Sequence, residues 1–202
     1  MKFSVVMPSY LAPYAGAASN REGKLIRAVN SVISQSFPDW ELHVVADGCK
    51  QTMEIMEQFT DERIKTWYIN HKKLWSGAPR NKGIEEAKGE WIIYLDIDDL
   101  YGDDHLKKVT EGLGGYDWVW YNDIRWNPRF KVWFDNPCNI KVLSQHGTSN
   151  ICHKVRMLWD EEGRYAHDFF FVKKLRQNPN YTKISTPEYY VAHLPGRGGY
   201  DL

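Results

Sequence analysis

Apolar residues fall into short runs separated by stretches with helical spacing. Phe3-Ser4-Val5-Val6-Met7 is β-rich and closed by Pro8, and Glu41-Leu42-His43-Val44-Val45-Ala46 is a second run closed by Asp47-Gly48. Between them a helix is predicted: Ser19-x-x-Glu22 forms a capping box, and Leu25, Ile26, Val29, Val32 and Ile33 share one face before Pro38. A second amphipathic stretch with Met53, Met56 and Phe59 leads to Ile64–Ile69. A third helix, about Pro79–Lys88 with Gly89 at its end, leads to Trp91–Leu95. Strands alternating with helices, over connections too long for hairpins, imply right-handed crossovers and a largely parallel sheet covered on both faces. Residues 1–100 therefore read as an α/β sheet of nucleotide-binding type. From Tyr116 the pattern loosens into aromatic strands (Trp118–Tyr121, Lys131–Phe134), a helix near His167–Arg176 and a last strand, Tyr189–His193. No repeat or linker divides the chain, so one domain is expected over 1–202, its second half over 101–202 less regular than the first.

Composition narrows the classes. A chain of 202 residues with 43% hydrophobic content can bury a sizeable core. Its 26 Lys+Arg balance 26 Asp+Glu, which excludes the broad basic field of a nucleic-acid binder or a charge-driven membrane partner. The longest apolar run, Trp91–Leu95, is too short to span a bilayer, and Met1–Ser4 opens no signal-peptide core. Cys49, Cys138 and Cys152 match neither a disulfide framework nor a zinc pattern, so reduced thiols and a cytoplasmic location are expected. The sequon Asn180-Tyr181-Thr182 would have no role there.

In an open parallel sheet, ligands bind beyond the carboxyl ends of the strands. The residues to examine are then Ser9 and Tyr10 after the first strand, Asp47 after the second, and Asp96-Ile97-Asp98-Asp99 after the fourth. Five aspartates and no Lys or Arg lie between Asp96 and Asp104. Crowded carboxylates raise one another's pKa unless a cation neutralises them, so a divalent metal is the natural resident. Hard oxygen ligands favour Mg2+ or Mn2+. Asp103 and Asp104 read instead as caps of the helix that follows.

Several blocks carry a resemblance. Val5-Val6-Met7-Pro8-Ser9-Tyr10, then Ser31 to Pro38, then Trp40 to Gly48, Ala78-Pro79-Arg80-Asn81-Lys82-Gly83-Ile84, and Ala87 to Asp99 resemble, in order, the blocks of family 2 glycosyltransferases, ending in their D-x-D motif. Each block alone is weak; their order is specific. The resemblance implies a GT-A fold, with a Rossmann-like, mostly parallel central sheet flanked by helices. It also implies an inverting transfer of a hexose from a UDP-sugar to a carbohydrate acceptor, with Mn2+ or Mg2+ as cofactor. Pro8, Ser9, Tyr10 and Ile97 would line the donor pocket, Asp47 would bind the uracil, and Asp96 would touch the ribose and help hold the metal. Asp98 would ligate the metal, and Arg80 would border the pocket, the alternative being a plain surface arginine. Ala166-His167-Asp168 resembles the segment in which an acidic pair opens a helix; His167 replaces the first acid, leaving Asp168 as general base or else as a helix N-cap. His193 matches a position where some relatives place a further metal ligand, with a structural histidine as alternative.

Two departures are visible. The acid pair after the second strand is Ala46-Asp47 here, and the first loop is lengthened over Leu11–Ser19, as a lid, an acceptor contact or a tolerated surface loop. Trp118, Trp120, Tyr121, Trp126, Trp133 and Phe134 suit either sugar stacking or core packing, with core expected for at least half. Gly196-Arg197-Gly198-Gly199 lacks the helix of a phosphate loop and reads as a tail whose Arg197 could reach a phosphate. The competing classes are a nucleotidyltransferase, whose early Gly-rich loop is missing, and a non-catalytic carbohydrate-binding module, which leaves the acidic cluster unexplained.

Overall fold

The computed structural model describes residues 2–14, 19–70, 75–127, 129–154, 156–162 and 166–192. Its strands, in chain order, are β1 (Phe3–Ser9), β2 (Trp40–Asp47), β3 (Ile64–Ile69), β4 (Trp91–Tyr94), β5 (Leu100–Tyr101), β6 (Trp118–Trp120), β7 (Asp123–Asn127), β8 (Val132–Asn136), β9 (Ile151–His153), β10 (Tyr181–Lys183) and β11 (Tyr189–Val191). The helices are α1 (Arg21–Ile33), α2 (Lys50–Met56), α3 (Gly77–Glu86), α4 (His105–Gly112) and α5 (His167–Leu175), with a 3-10 turn at Thr148–Asn150.

A seven-stranded sheet runs in the order β10-β6-β9-β4-β1-β2-β3. Its β3-β2-β1-β4 half is parallel, and β9 is the one strand paired antiparallel, to β4 and β6. Alternate residues of β1 face opposite layers. Val5 and Met7 pack with Leu25, Val29 and Val32 of α1 and Leu106 and Val109 of α4. Val6 packs with Ile84 of α3 and Phe171, Val172 and Leu175 of α5. The expected mostly parallel sheet with helices on both faces is thus the architecture found. A smaller sheet, β5-β11-β7-β8, lies beside it. Among the described residues no helix is long and apolar enough to cross a membrane, and the three cysteines are buried thiols.

Several boundaries differ from the sequence reading. β1 continues through Pro8, because β4 pairs β1 only as far as Val6 and the side that Pro8's missing N–H would face is already vacated. α1 is capped by Asn20 in place of the Ser19 box: Asn20 takes a left-handed φ of 47° and its Oδ1 accepts from Gly23 N at 3.3 Å. Asp104 occupies the N-cap position of α4 without capping it, since its carboxylate accepts from Ser36 Oγ at 2.5 Å. Gly89 lies beyond the end of α3 and serves a close approach: a Cβ there would stand 2.7 Å from the backbone of Phe3 and Ser4. β5, β9 and β10 span two or three residues, too short to show alternation.

Among the aromatic set, Trp118 and Tyr121 are fully buried and Trp120 packs on the core, whereas Phe134 is exposed. Trp126 and Trp133 meet edge to face at 5.4 Å on the small sheet.

Candidate active site

The C-terminal ends of β1, β2 and β4 gather the predicted donor-site residues along one edge of the sheet. Pro8 and Ser9 are buried at the end of β1, and Ser9 Oγ lies 2.8 Å from Thr52 Oγ1 in α2. Asp47 closes β2 as a buried residue, and Gly48, at a φ of 66°, turns the chain toward α2. Leu11 N donates to Cys49 Sγ at 3.4 Å, tying the exit of β1 to that of β2. Tyr10 is half-buried with its ring 6.3 Å from that of Tyr14, and the Arg21 guanidinium lies 4.7 Å over Tyr14. Ala15–Ala18, inside the lengthened loop, lie outside the described residues.

Asp96, Ile97 and Asp98 alternate partly exposed, buried and partly exposed, so the two carboxylates leave the strand end on the solvent side. Asp96 Oδ1 accepts from Arg80 Nη2 at 2.9 Å. The same Nη2 donates to Thr148 Oγ1 at 3.2 Å, and Thr148 Oγ1 lies 3.4 Å from Asp96 Oδ2. Arg80 Nη1 reaches Ser76 Oγ and, at 3.0 Å, His167 Nε2. His167 Nε2 in turn stands 2.8 Å from Asp168 Oδ1. One chain of contacts therefore runs from the D-x-D motif to the predicted base.

Local sequence explains the placement. Gly83 lets α3 lie against β1, where a Cβ would come 2.6 Å from Val6 Cγ1. Asn81 exchanges hydrogen bonds with the backbone of Trp159 at 3.0 and 2.7 Å, which seats Trp159 4.9 Å under the Arg80 guanidinium. Arg80 is 3% exposed, so the surface-arginine alternative is wrong: both Nη atoms of the buried guanidinium are paired, while its Nε has no hydrogen-bond partner among the described residues.

Asp168 is not the N-cap of α5. Ala166 holds that position at a φ of 67°, and Asp168 lies in the first turn, where a helix N-terminus favours a carboxylate. Burial alone would raise the Asp168 carboxyl. The contact with His167 and the nearby charges of Arg80 and His146 outweigh it and hold the group below the usual carboxylate range. Asp168 is thus ionised at neutral pH, as a proton acceptor must be.

The other aspartates of the cluster have structural partners. Asp99, 3% exposed, accepts from Tyr189 Oη at 2.9 Å and from Ala192 N at 2.8 Å, fixing the exit of β11 beside the D-x-D segment. Arg27 Nη2 donates to the Asp98 carbonyl at 2.8 Å, and its charge faces Asp98 and Asp99. Arg27 and Arg80 thus supply positive charge that the local sequence lacks, so a metal is not the sole means of tolerating the cluster. The partly exposed carboxylates of the cluster's strand end are those of Asp96, which already accepts from Arg80, and Asp98. Two hard carboxylates fit Mn2+ or Mg2+, ions that take their remaining ligands from water and phosphate. Among the described residues no group of three or more His, Cys, Asp or Glu forms a metal site. His193 lies outside the described residues, as does Arg197; the neighbouring Ala192 is the residue tied to Asp99.

Sequence reasoning missed Ser76, one helical turn before Arg80, and Thr148 and Trp159, which carry no motif and meet Arg80 only through the fold. An open groove of about 350 Å³ on the small sheet is walled by Tyr190 and by Trp133 and Phe134 of the aromatic set, and contains none of the residues predicted for the donor pocket, the metal or the base.

Comparison with known proteins accords with this geometry. TarS of Staphylococcus aureus (strain Mu50 / ATCC 700699), a poly(ribitol-phosphate) beta-N-acetylglucosaminyltransferase, is 32% identical over 114 residues, covering 54% of this chain and 18% of TarS. The Escherichia coli UDP-Glc:alpha-D-GlcNAc-diphosphoundecaprenol beta-1,3-glucosyltransferase WfgD is 33% identical over 99 residues, 48% of this chain and 35% of WfgD. This chain therefore spans well under half the length of either relative. The structure of S. aureus TarS 1–349 in complex with UDP-GlcNAc superposes with a TM-score of 0.76 at 25% identity, over 99% of this chain and 60% of that one. A Pyrobaculum calidifontis mannosyltransferase, in complex with GDP-Man and Mn2+, shares the fold at a TM-score of 0.69 and 17% identity, over 98% of this chain and 58% of that one. The family model for glycosyl transferase family 2 matches residues 4–170, and the chain belongs to that family.

Proposed function

We propose that the chain is a glycosyltransferase that moves a hexose from a UDP-sugar to a hydroxyl of a carbohydrate acceptor, with inversion at the anomeric carbon. The observation that carries this reading is the grouping of Asp96, Arg80, His167 and Asp168: Arg80 pairs with Asp96 Oδ1, and His167 Nε2 stands 3.0 Å from Arg80 Nη1 and 2.8 Å from Asp168 Oδ1. It links the place where a diphosphate would leave to a carboxylate able to take the acceptor's proton. The relatives' UDP-sugar chemistry supports the donor class. Residues 1–100 would hold the nucleotide, with Asp47 at the base and Pro8, Ser9, Tyr10 and Ile97 along the pocket; 101–202 would serve the acceptor.

Mn2+ or Mg2+, held by Asp96 and Asp98 with His193 as a further ligand, would offset charge on the departing diphosphate. Arg80 orients Asp96 and brings its own positive charge to the same end of the pocket. Asp168 accepts the proton of the attacking hydroxyl on the face opposite the leaving group, and no covalent sugar intermediate is required. The experiment is transfer by Asp168→Asn with UDP affinity measured alongside. Loss of transfer with UDP binding intact supports the base. Transfer at the parent rate removes Asp168 from that role.

A further inference from the structure

We propose that Trp75 is the stacking platform for the pyranose ring of the acceptor. This rests on Asp168 being the base and adds what holds the substrate above it. Trp75 directly precedes Ser76, the N-cap of α3, and has a φ of 80°. That is the left-handed region, where glycine is favoured and a bulky side chain is strained. Strain of this kind persists where the surroundings over-determine it, and it gathers at ligand-binding positions.

Core packing gives no reason for this residue. Aromatic rings form a series from the interior outward: Phe171 stacks on Trp159 at 3.8 Å, Trp159 meets His167 at 5.7 Å, and His167 meets Trp75 at 5.5 Å. Phe171 and Trp159 are buried, whereas Trp75 is 43% exposed. The outermost ring thus presents an apolar face to solvent beside His167, whose Nε2 touches both Arg80 and Asp168. A hexopyranose has the matching chemistry, with C–H bonds on its faces and hydroxyls at its edge. Seated on Trp75, it lies next to the carboxylate that must reach one of its hydroxyls, so the platform sets which hydroxyl that is.

The test uses saturation-transfer NMR on the whole chain with UDP and Mg2+ present. The probes are the methyl glycosides of glucose, galactose, mannose and N-acetylglucosamine. At least one glycoside shows saturation through its ring C–H protons in the parent. That signal falls at least fivefold in Trp75→Gly and Trp75→Ala and keeps at least half its size in Trp75→Phe. Because glycine suits the left-handed backbone, Trp75→Gly does not lower the thermal midpoint, which a packing role would require. UDP affinity, read by calorimetry on the same proteins, stays unchanged. Equal saturation in parent and Trp75→Gly, no saturation from any glycoside, or a matching loss of UDP affinity overturns the platform. Failure of UDP to bind the parent instead strikes the donor reading, while the glycoside signals still decide the role of Trp75.

Discussion

In the proposed reaction Asp168 takes the proton of the acceptor hydroxyl, so its environment would set both rate and pH dependence. Asp168→Asn keeps the shape and removes the acceptor of the proton; steady-state transfer falls about 10²–10⁴-fold, with UDP affinity unchanged by calorimetry. The active form is the ionised one, and its pKa is depressed below the ordinary carboxylate range. Transfer limited by this group is therefore retained from neutral pH down toward pH ~4 and is lost only below it. A kcat profile with an Asp168-dependent acid limb above pH ~6 contradicts this. Arg80 is the buried member of the same cluster. Arg80→Lys keeps a charge but loses the fork that reaches Asp96, Thr148 and His167 together; transfer drops about 10–100-fold and the thermal midpoint falls, because buried partners are left unpaired. Asp47, Asp96 and Asp98 were legible in the sequence because they follow apolar strands. The burial of Arg80 was not, because its partners lie 16, 68 and 87 positions away and only packing brings them together.

At the scale of elements, β1 and β2 are locked at the edge opposite the site. Glu41 accepts from Ser4 Oγ at 2.6 Å, Lys88 N at 2.5 Å and Gly89 N at 3.1 Å, and lies 3.2 Å from His43 Nε2. Burial opposes its charge, but these contacts prevail and pull its pKa from 4.5 to about 2. A depressed folded pKa contributes stability above the unfolded value, and that contribution is lost as pH falls from about 4.5 through about 2. Glu41→Gln removes on the order of 3 kcal/mol at neutral pH, and its stability, measured by urea unfolding, then varies less than the parent's across that window. The contact of Gly89 with Phe3 and Ser4 belongs to the same lock. Gly89→Ala forces backbone apart and costs about 1–3 kcal/mol, read as a lower thermal midpoint. The long buried strands were readable from their apolar runs. The short ones were not: β9 and β10 exist because β4 and β6 offer edges to pair with, a property of the assembled sheet.

On the scale of the whole molecule, zero net charge conceals a division of labour among five clustered aspartates. Asp99 anchors the exit of β11, Asp103 and Asp104 tie α4 to the serines that end α1, and Asp96 and Asp98 face solvent at the strand end. The sequence showed the cluster but not this partition, since Tyr189, Ala192, Ser34 and Ser36 are distant along the chain. The central claim is that Asp96 and Asp98 hold a divalent ion against the diphosphate of a UDP-sugar. Calorimetric titration of UDP with and without Mn2+, into the parent and Asp98→Asn, tests it most directly. The account predicts that Mn2+ tightens UDP binding to the parent by about 10-fold or more, that EDTA removes the gain, and that Asp98→Asn lacks it. UDP affinity indifferent to Mn2+, or an Asp98→Asn variant that gains as much from Mn2+ as the parent, contradicts it.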